Sequence, residues 1–285
     1  MRRRTLALQT GVVRSEVSVA EKWQQEWRGK WALITGASAG IGLELAKLLA
    51  AGGANLLLTA RRIDRLQKLA ADLASQRGIK TEVFAADLTR PEAPGEIYAF
   101  TANKKIEVEF LINNAGFGAY GFVHEIPVQK MLEMIQVNCS AVVHLTRLYM
   151  PAMVQRKHGD VMIVASLAAY QPLPFSSCYA ATKAFDLLLA EGIAEEVRPL
   201  GVRVCALCPG STVTEFQEVA QQPDRPFRNA ETAEKVARVG LEAQAAGKPY
   251  VISGFMNRLM KESQRIAPRS LVTRTAAKMM RPDNS

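Results

Sequence analysis

The chain alternates short strand-like apolar runs with stretches of helical periodicity, and this alternation constrains its fold more than any other feature. The predicted strands are Trp31–Thr35, Asn55–Thr59, Lys80–Ala85, Val108–Ile112, Asp160–Ala165, Val202–Leu207 and Pro249–Ile252. The predicted helices between them are Ile41–Ala51, Arg62–Arg77, Glu92–Asn103, Val128–Arg156, Tyr179–Pro199 and Ala230–Ala246. Strands that alternate with helices form parallel βαβ units. We therefore expect an α/β fold, with one doubly wound domain over residues 31–254 whose parallel sheet of about seven strands carries helices on both faces.

The basic residues are concentrated at the two ends of the chain. The net charge is +9 at neutral pH, yet residues 31–254 carry equal numbers of basic and acidic side chains. We interpret residues 1–30 as a basic N-terminal extension and residues 255–285 as a basic C-terminal helical tail. A neutral body does not favour nucleic-acid binding, which needs a basic stripe on the folded surface. The ends are either solvated tails or, at the C-terminus, the site of a weak membrane-surface contact, because apolar residues alternate there with Arg and Lys.

The N-terminus predicts a cytoplasmic protein. Three arginines follow Met1, but Gln9 and Thr10 interrupt the apolar stretch that a signal peptide would need next. No run approaches the roughly 18 apolar residues of a membrane span. The cysteines are expected to be reduced: Cys205 and Cys208 form a C-x-x-C in an apolar run without a second ligand pair, which indicates core packing and no metal.

Residues 211–229 interrupt the alternation of strands and helices. Pro223 and Pro226 exclude one continuous helix there, because each proline removes a donor and clashes with the preceding turn. Long irregular insertions in compact domains often cover a site. We predict a substrate lid, with a plain surface excursion as the alternative.

A glycine-rich loop follows the first predicted strand. It contains Gly36, Gly40 and Gly42, with Ser38 and Ile41 between them. Glycines let the backbone turn tightly and approach a diphosphate, which then rests on the positive end of the next helix. The strand before the loop and the helix after it are the context that supports dinucleotide binding.

Arg61 and Arg62 follow the second predicted strand. In a dinucleotide-binding fold this position holds an acidic residue when the ribose 2′-hydroxyl is recognised, whereas guanidinium groups suit a 2′-phosphate. The sequence therefore predicts NADP(H) rather than NAD(H). The alternative is that both arginines only cap an exposed helix and pair with Asp64.

Tyr179 and Lys183 lie four residues apart, and Ser166 lies thirteen residues before the tyrosine. Residues i and i+4 share one face of a helix, so the phenol and the ammonium can meet in one site. A nearby ammonium favours the phenolate and makes a phenol more useful for acid–base catalysis near neutral pH. The spacing alone is common on surface helices, and the cofactor loop upstream gives it meaning.

The motifs occur in the order typical of the short-chain dehydrogenase/reductase family. Besides those above, they include Asp87-Leu88 after the third strand, Asn113–Gly116 after the fourth, Asn138 and Pro209-Gly210. Over residues 31–254 the chain resembles that family, in particular an NADP-preferring bacterial subgroup, and the resemblance implies a single Rossmann domain. It also implies a homodimer or homotetramer formed through Val128–Arg156 and Tyr179–Pro199.

The resemblance further implies roles for individual side chains. Tyr179 would protonate a substrate carbonyl oxygen, Ser166 would bind the same oxygen, and Lys183 would hold the nicotinamide ribose. Asn138 would anchor a water chain from the lysine to solvent. Further cofactor contacts are implied for Asp87, Leu88, Asn114, Ala115, Gly116, Pro209, Gly210, Thr212 and Thr214.

The expected substrate pocket comprises Phe117–Tyr120, Leu167–Pro174 and residues 211–229. Its apolar side chains would be Phe117, Tyr120, Leu167, Tyr170, Leu173, Phe175, Phe216 and Phe227. Such a lining favours an apolar ketone or aldehyde over a sugar or a charged acid. We predict an NADPH-dependent oxidoreductase that reduces such a carbonyl or oxidises the alcohol. The alternative is a non-catalytic NADP(H)-sensing binding module.

Overall fold

The computed structural model describes residues 23–221, 230–264 and 266–282. Its strands are β1 (Trp31–Thr35), β2 (Asn55–Ala60), β3 (Thr81–Ala85), β4 (Val108–Asn113), β5 (Gly159–Val164), β6 (Val202–Cys208), β7 (Thr212–Val213), β8 (Glu231–Thr232) and β9 (Tyr250–Ile252). Seven of them form one parallel sheet in the order β3-β2-β1-β4-β5-β6-β9. The doubly wound fold is therefore confirmed. The small parallel pair β7–β8 was not predicted: β7 lies in the segment expected to be irregular, and β8 occupies the start of the helix predicted over Ala230–Ala246.

The α-helices are α1 (Gly40–Ala51), α2 (Ile63–Arg77), α3 (Ala93–Asn103), α4 (Val128–Ile135), α5 (Ala141–Gln155), α6 (Ser177–Val197), α7 (Phe216–Ala220), α8 (Ala233–Ala245), α9 (Phe255–Gln264) and α10 (Arg269–Met280). A single helix was predicted over Val128–Arg156, but the structure inserts a π-helical turn at Gln136–Ser140 between α4 and α5. Such turns carry one extra residue and are frequent at functional sites.

Successive strand residues point to opposite faces of the sheet and supply two separate cores. On one face, strand residues such as Ile34 and Leu58 pack with α1, α2 and α8. On the other face, residues such as Leu33 and Leu57 pack with α3, α5 and α6. Strands covered on both sides read as continuous apolar runs, which is why the sequence located them to within one residue.

The segment before β1 belongs to the folded body. Trp27 is 1% exposed and stacks on Phe110 with ring centroids 4.7 Å apart. Its indole Nε1 donates to the buried Asp160 at 2.8 Å, and Arg203 and Gln244 donate to the same carboxylate. The boundary drawn at residue 31 is therefore too late, because a large aromatic side chain upstream of it completes the core.

The C-terminal helices also lie against the domain. The Arg258 Nε group donates to the Ile252 carbonyl, and the Lys261 ammonium lies over the rings of Tyr170 and Tyr250. Two basic residues of the predicted tail are thus used to fasten α9 to the body of the protein. Among the described residues, no helix has both the length and the apolar character needed to cross a membrane.

Candidate active site

The glycine loop packs closely against the end of β4. A Cβ atom on Gly36, whose φ is +67°, would lie 2.9 Å from the Ala115 Cα and from the Asn114 amide nitrogen. A Cβ on Gly42 would collide with the same amide and with the Gly36 carbonyl. The loop therefore offers bare backbone beside the N-terminus of α1, where a diphosphate binds favourably. These residues fit the dinucleotide that the sequence predicts.

Thr35 and Asn114 join the glycine loop to β4. The Thr35 hydroxyl accepts from the backbone N–H groups of Asn114 and Ala115, both at 2.9 Å. The Asn114 amide donates to the Thr35 carbonyl at 2.8 Å. The carboxyl ends of β1 and β4 meet here, where the strand order of the sheet reverses. Ligand sites in doubly wound folds lie at this position. The part played by Thr35 was not anticipated.

Arg62 lies at the predicted 2′-phosphate position, at the start of α2. Its guanidinium donates to the Ser38 hydroxyl at 3.1 Å and to the Glu215 carboxylate at 2.8 Å. Arg65 donates to the other oxygen of Glu215 at 2.7 Å. Hydrogen bonds from Arg65 and Arg62 hold the pKa of Glu215 below its usual range. Sequence reasoning found Arg62 and Ser38 but missed Arg65 and Glu215.

Ser166, Tyr179 and Lys183 line one cleft. The Ser166 oxygen accepts the Ala168 N–H at 3.1 Å, which leaves the serine hydrogen free to be donated into the cleft. The Tyr179 ring packs against Phe216 with centroids 5.2 Å apart. Two hydroxyl groups and an ammonium therefore converge on the space in front of the glycine loop.

The Lys183 ammonium is held by protein groups on its buried side. It donates to the Val164 carbonyl at 2.8 Å and to the Asp186 carboxylate at 3.0 Å. Burial alone would lower the pKa of Lys183, but Asp186 and then Tyr179 favour the ammonium, and the pKa is raised. Asp186 was not identified from the sequence.

Asn138 lies in the π-helical turn and is fully buried. Its side-chain oxygen accepts the Phe117 N–H at 3.1 Å, and its amide donates to the Phe117 carbonyl and to Thr182. The side chain therefore fixes the loop after β4 against α6. It does not line the cleft, and the water chain that the family resemblance implies stays a prediction.

The cleft has a volume of about 980 Å³ and includes most of the predicted cofactor positions. They are Gly36, Ser38, Gly40, Ile41, Arg61, Arg62, Asp87, Leu88, Asn114, Ala115, Gly116, Tyr179, Lys183, Pro209, Gly210, Thr212 and Thr214. Gly42 supports the loop from behind instead. Asp87 is held in place by Thr89, whose N–H and hydroxyl both donate to one carboxylate oxygen.

The predicted pocket lining is partly wrong. Phe117, Leu167, Leu173 and Phe216 do line the cleft. Tyr120, Tyr170 and Phe175 are engaged elsewhere: with the Met280 carbonyl, with the Cys208 thiol and with the Phe122 ring, respectively. Phe227 and the rest of residues 222–229 lie outside the described part of the chain, so the lid prediction extends beyond what the structure describes.

A second wall of the cleft comes from the C-terminal helices. Its side chains are Met256, Asn257, Leu259, Met260, Ser263, Ala276, Met279 and Met280. From the sequence alone, only Leu259, Met260 and Met279 of this set stand out as apolar, and they belong to the predicted tail. Their helical spacing could have indicated this wall, because an amphipathic helix usually packs its apolar face against the domain.

The four cysteines belong to the packed interior or its margin. Cys205 and Cys208 are fully buried, as core packing of the C-x-x-C predicted. Burial raises the pKa of each of these thiols to about 12. Among the residues that the structure describes, no group of His, Cys, Asp and Glu side chains is arranged to hold a metal ion.

The chain is similar to known oxidoreductases. The family model for short chain dehydrogenases matches residues 30–225. A very-long-chain 3-oxoacyl-CoA reductase from Anas platyrhynchos is 30% identical, with 85% of this chain and 83% of that protein covered. The reductase of the same name from Phaeosphaeria nodorum is 38% identical to this chain. The match covers 62% of this chain and 53% of the Phaeosphaeria nodorum protein. A solved short-chain dehydrogenase from Sphingobium yanoikuyae in complex with NADPH has a TM-score of 0.77 and 30% identity, over 86% of this chain and 95% of that one.

Proposed function

The chain belongs to the short-chain dehydrogenase/reductase family, and on that premise we propose that it reduces the carbonyl group of an apolar substrate with NADPH. It is an oxidoreductase of the Rossmann fold whose cofactor is NADP(H). The observation that carries the proposal is one cleft in which Tyr179, Ser166 and Lys183 lie between a glycine loop and an apolar wall. The same groups can run the reverse reaction and oxidise the alcohol.

The side chains of the cleft suit the polarisation and protonation of a carbonyl oxygen. When bound in the cleft, NADPH would supply the hydride for the carbonyl carbon. Tyr179 gives its hydroxyl proton to the oxygen, and the Lys183 ammonium stabilises the phenolate that remains. Ser166 donates its free hydrogen to the same oxygen while charge develops there, and a preorganised donor of this kind contributes about 3 kcal/mol.

Asn138 would serve the return of the proton to Tyr179. In the π-helical turn the Ala141 N–H bonds to the Gln136 carbonyl five residues before it, which interrupts the regular α-helical hydrogen bonds. We propose that a water chain from Lys183 to solvent is anchored there. The buried side chain of Asn138, fastened to Phe117 and Thr182, would hold the turn in that form.

A long acyl chain with a keto group is the substrate that we favour within the apolar class. The wall formed by α9 and α10 contributes four methionines and a leucine to the cleft, and flexible Met side chains adapt to apolar ligands of varied shape. The names of the two reductases described above support the same class. The presence of Ser166, Tyr179 and Lys183 together in the cleft argues against a non-catalytic sensing module.

The cellular location and the assembly of the protein remain predictions of the sequence. We propose a cytoplasmic location. We also propose a homodimer or homotetramer, because apolar side chains of the predicted interface helices are exposed: Leu132, Ile135, Val143 and Leu188.

A panel of carbonyl compounds tests the proposed function. The panel contains 3-oxoacyl thioesters of increasing chain length, bulky cyclic ketones, short aldehydes and a keto sugar, each with NADPH and with NADH. We expect NADPH oxidation with the apolar ketones, rising with chain length among the thioesters. Turnover confined to the sugar or the short aldehydes would contradict the apolar assignment.

Replacing Tyr179 with Phe tests the proton donor. We expect kcat to fall by roughly 10²–10⁴-fold, the usual contribution of general acid catalysis, with NADPH affinity changed little. Steady-state kinetics and the fluorescence of bound NADPH measure the two effects. Tyr98→Phe, at an exposed position away from the cleft, is the control. Activity retained in Tyr179→Phe would exclude this mechanism.

A further inference from the structure

A carboxylate lies against the buried side of the Lys183 ammonium. Asp186 is one helical turn along α6 from the lysine, and its side chain is 1% exposed. The distance from Lys183 Nζ to Asp186 Oδ2 is 3.0 Å. The second contact of the ammonium on the protein side is with the Val164 carbonyl, at the end of β5. Asp186 itself does not line the cleft, so it acts on the site only through the lysine.

Lys183 is the sole hydrogen-bond partner that the described residues offer to this carboxylate. Oδ2 accepts from the lysine, and Oδ1 has no hydrogen-bond partner among the described residues. The other titratable groups that influence the lysine are Tyr179 on α6, Cys139 in the π-helical turn and Cys208 on β6. Burial raises the pKa of both thiols to about 12, so both are neutral near pH 7. The negative charge beside the lysine is therefore that of Asp186.

We propose that Asp186 is a positioning residue that fixes the Lys183 ammonium in the cleft and keeps the Tyr179–Lys183 pair protonated to higher pH. A lysine ammonium has three donors. Val164 and Asp186 take two of them on the buried side and leave the third for the cleft. A Cβ atom on Gly116 would lie 3.4 Å from Nζ, which places the ammonium at the backbone after β4.

The charge of Asp186 affects the pH at which the Tyr179–Lys183 pair loses its first proton. The direction of the effect is the same whichever of the two groups loses that proton. Without the carboxylate, the buried ammonium has no counter-charge and releases its proton more readily. If the ammonium keeps its proton, its field on Tyr179 is no longer offset and the phenol ionises more readily. Two coupled groups titrate as a pair. On either route the pair loses its first proton at a lower pH.

The inference rests on the proposed function, because it needs Tyr179 as the proton donor. The test is the pH dependence of kcat/KM for carbonyl reduction in Asp186→Asn, which keeps the size of the side chain and removes its charge. Reduction needs both groups protonated, so the rate falls on the alkaline side. We expect this fall to begin about one pH unit lower than in the wild type, or more, as removal of a close charge implies.

Glu195→Gln is the matched control, because it removes a carboxylate from an exposed position on the same helix. It should leave the alkaline fall where it is in the wild type. An unchanged pH profile in a folded Asp186→Asn protein would overturn the proposal, since a merely structural aspartate would change stability without moving the profile. Should that variant not fold, Asp186→Glu keeps the charge and must keep the wild-type profile; a shifted profile in Asp186→Glu equally overturns the proposal.

A second readout needs no carbonyl substrate and separates this inference from the proposed function. NADPH affinity, followed by the fluorescence of the bound nicotinamide, should weaken in Asp186→Asn, and the weakening should set in at lower pH than in the wild type. If the wild type binds NADPH but reduces no carbonyl in the panel, the proposed function fails while this test still applies. Equal affinity with the same pH dependence in both proteins would refute the role of Asp186.

Discussion

Arg62 shows how one side chain can carry the choice of cofactor. It lies between the Ser38 hydroxyl and the Glu215 carboxylate, at the position that faces the adenosine ribose in this fold. The fork of a guanidinium suits a phosphate, and Ser38 and Glu215 keep that fork oriented at the rim of the cleft. The carboxylate of Glu215 comes from the segment after β7. The ion pair between Arg62 and Glu215 therefore joins the predicted phosphate position to that segment.

Arg62→Ala is expected to reduce the preference for NADPH over NADH by roughly 10–100-fold. Hydrogen bonds to charged groups contribute about 1.5–3 kcal/mol, which corresponds to that range. The affinities for both cofactors, measured by fluorescence titration, give the ratio directly. Arg198→Ala, at an exposed ion pair on the far end of α6, should leave it unchanged. An unaltered ratio of NADPH to NADH affinity in Arg62→Ala would show that Arg62 only caps α2.

At the scale of elements, the C-terminal helices α9 and α10 are part of the site. They lie on the domain through Arg258, Lys261 and Met280, and they present their apolar side chains to the cleft. Part of the apolar surface of these helices therefore faces the cleft. An anionic membrane contact would depend on the outward residues, such as Phe255 and Ile266, and stays a prediction.

Met260→Asp tests this wall. We expect kcat/KM for long apolar carbonyls to fall roughly tenfold or more, because an apolar chain would desolvate an unpaired carboxylate at a cost of several kcal/mol. NADPH affinity and turnover of short substrates should change little. Phe255→Asp is the control on the same helix, since Phe255 is 77% exposed and does not line the cleft. Equal losses of kcat/KM for long and short substrates would show that this wall does not bind the chain of a long substrate.

The segment before β1 is the second element whose role differs from expectation. Trp27 and Asp160 connect it to β5, and Arg203 and Gln244 join β6 and α8 to the same carboxylate. Asp160→Ala removes the acceptor that three side chains share. We expect it to lower the free energy of unfolding by about 3 kcal/mol or more, measured by urea denaturation. Asp72→Ala, on the exposed face of α2, should change it by less than about 0.5 kcal/mol; similar values for both would contradict a central role for Asp160.

For the whole molecule, the sequence predicts what depends on local pattern. Buried parallel strands appear in the sequence as apolar runs, so the sheet could be predicted. The glycine loop and the Tyr179–Lys183 pair have recognisable spacings between their residues, so most of the cleft could be predicted as well. Asp186, Glu215 and Trp27 could not, because their roles depend on partners far away in the sequence or on burial. The same holds for α9 and α10, whose apolar residues indicate a covered surface without indicating which one.

Assembly is the property of the whole molecule on which the sequence and the structure bear together. The family resemblance predicts an interface through α4, α5 and α6, and Leu188 on α6 is 69% exposed in the single chain. A large apolar side chain in that position gains free energy when a second copy covers it. Leu188→Glu should therefore convert the predicted oligomer into monomers at micromolar concentration with little loss of thermal stability, because the side chain lies outside the core. Leu200→Glu, at an exposed apolar position in the turn after α6, is the matched control and should keep the wild-type mass in sedimentation analysis. Identical masses for the wild type and both variants would show that α6 does not contribute to assembly and would leave its exposed leucine without a partner.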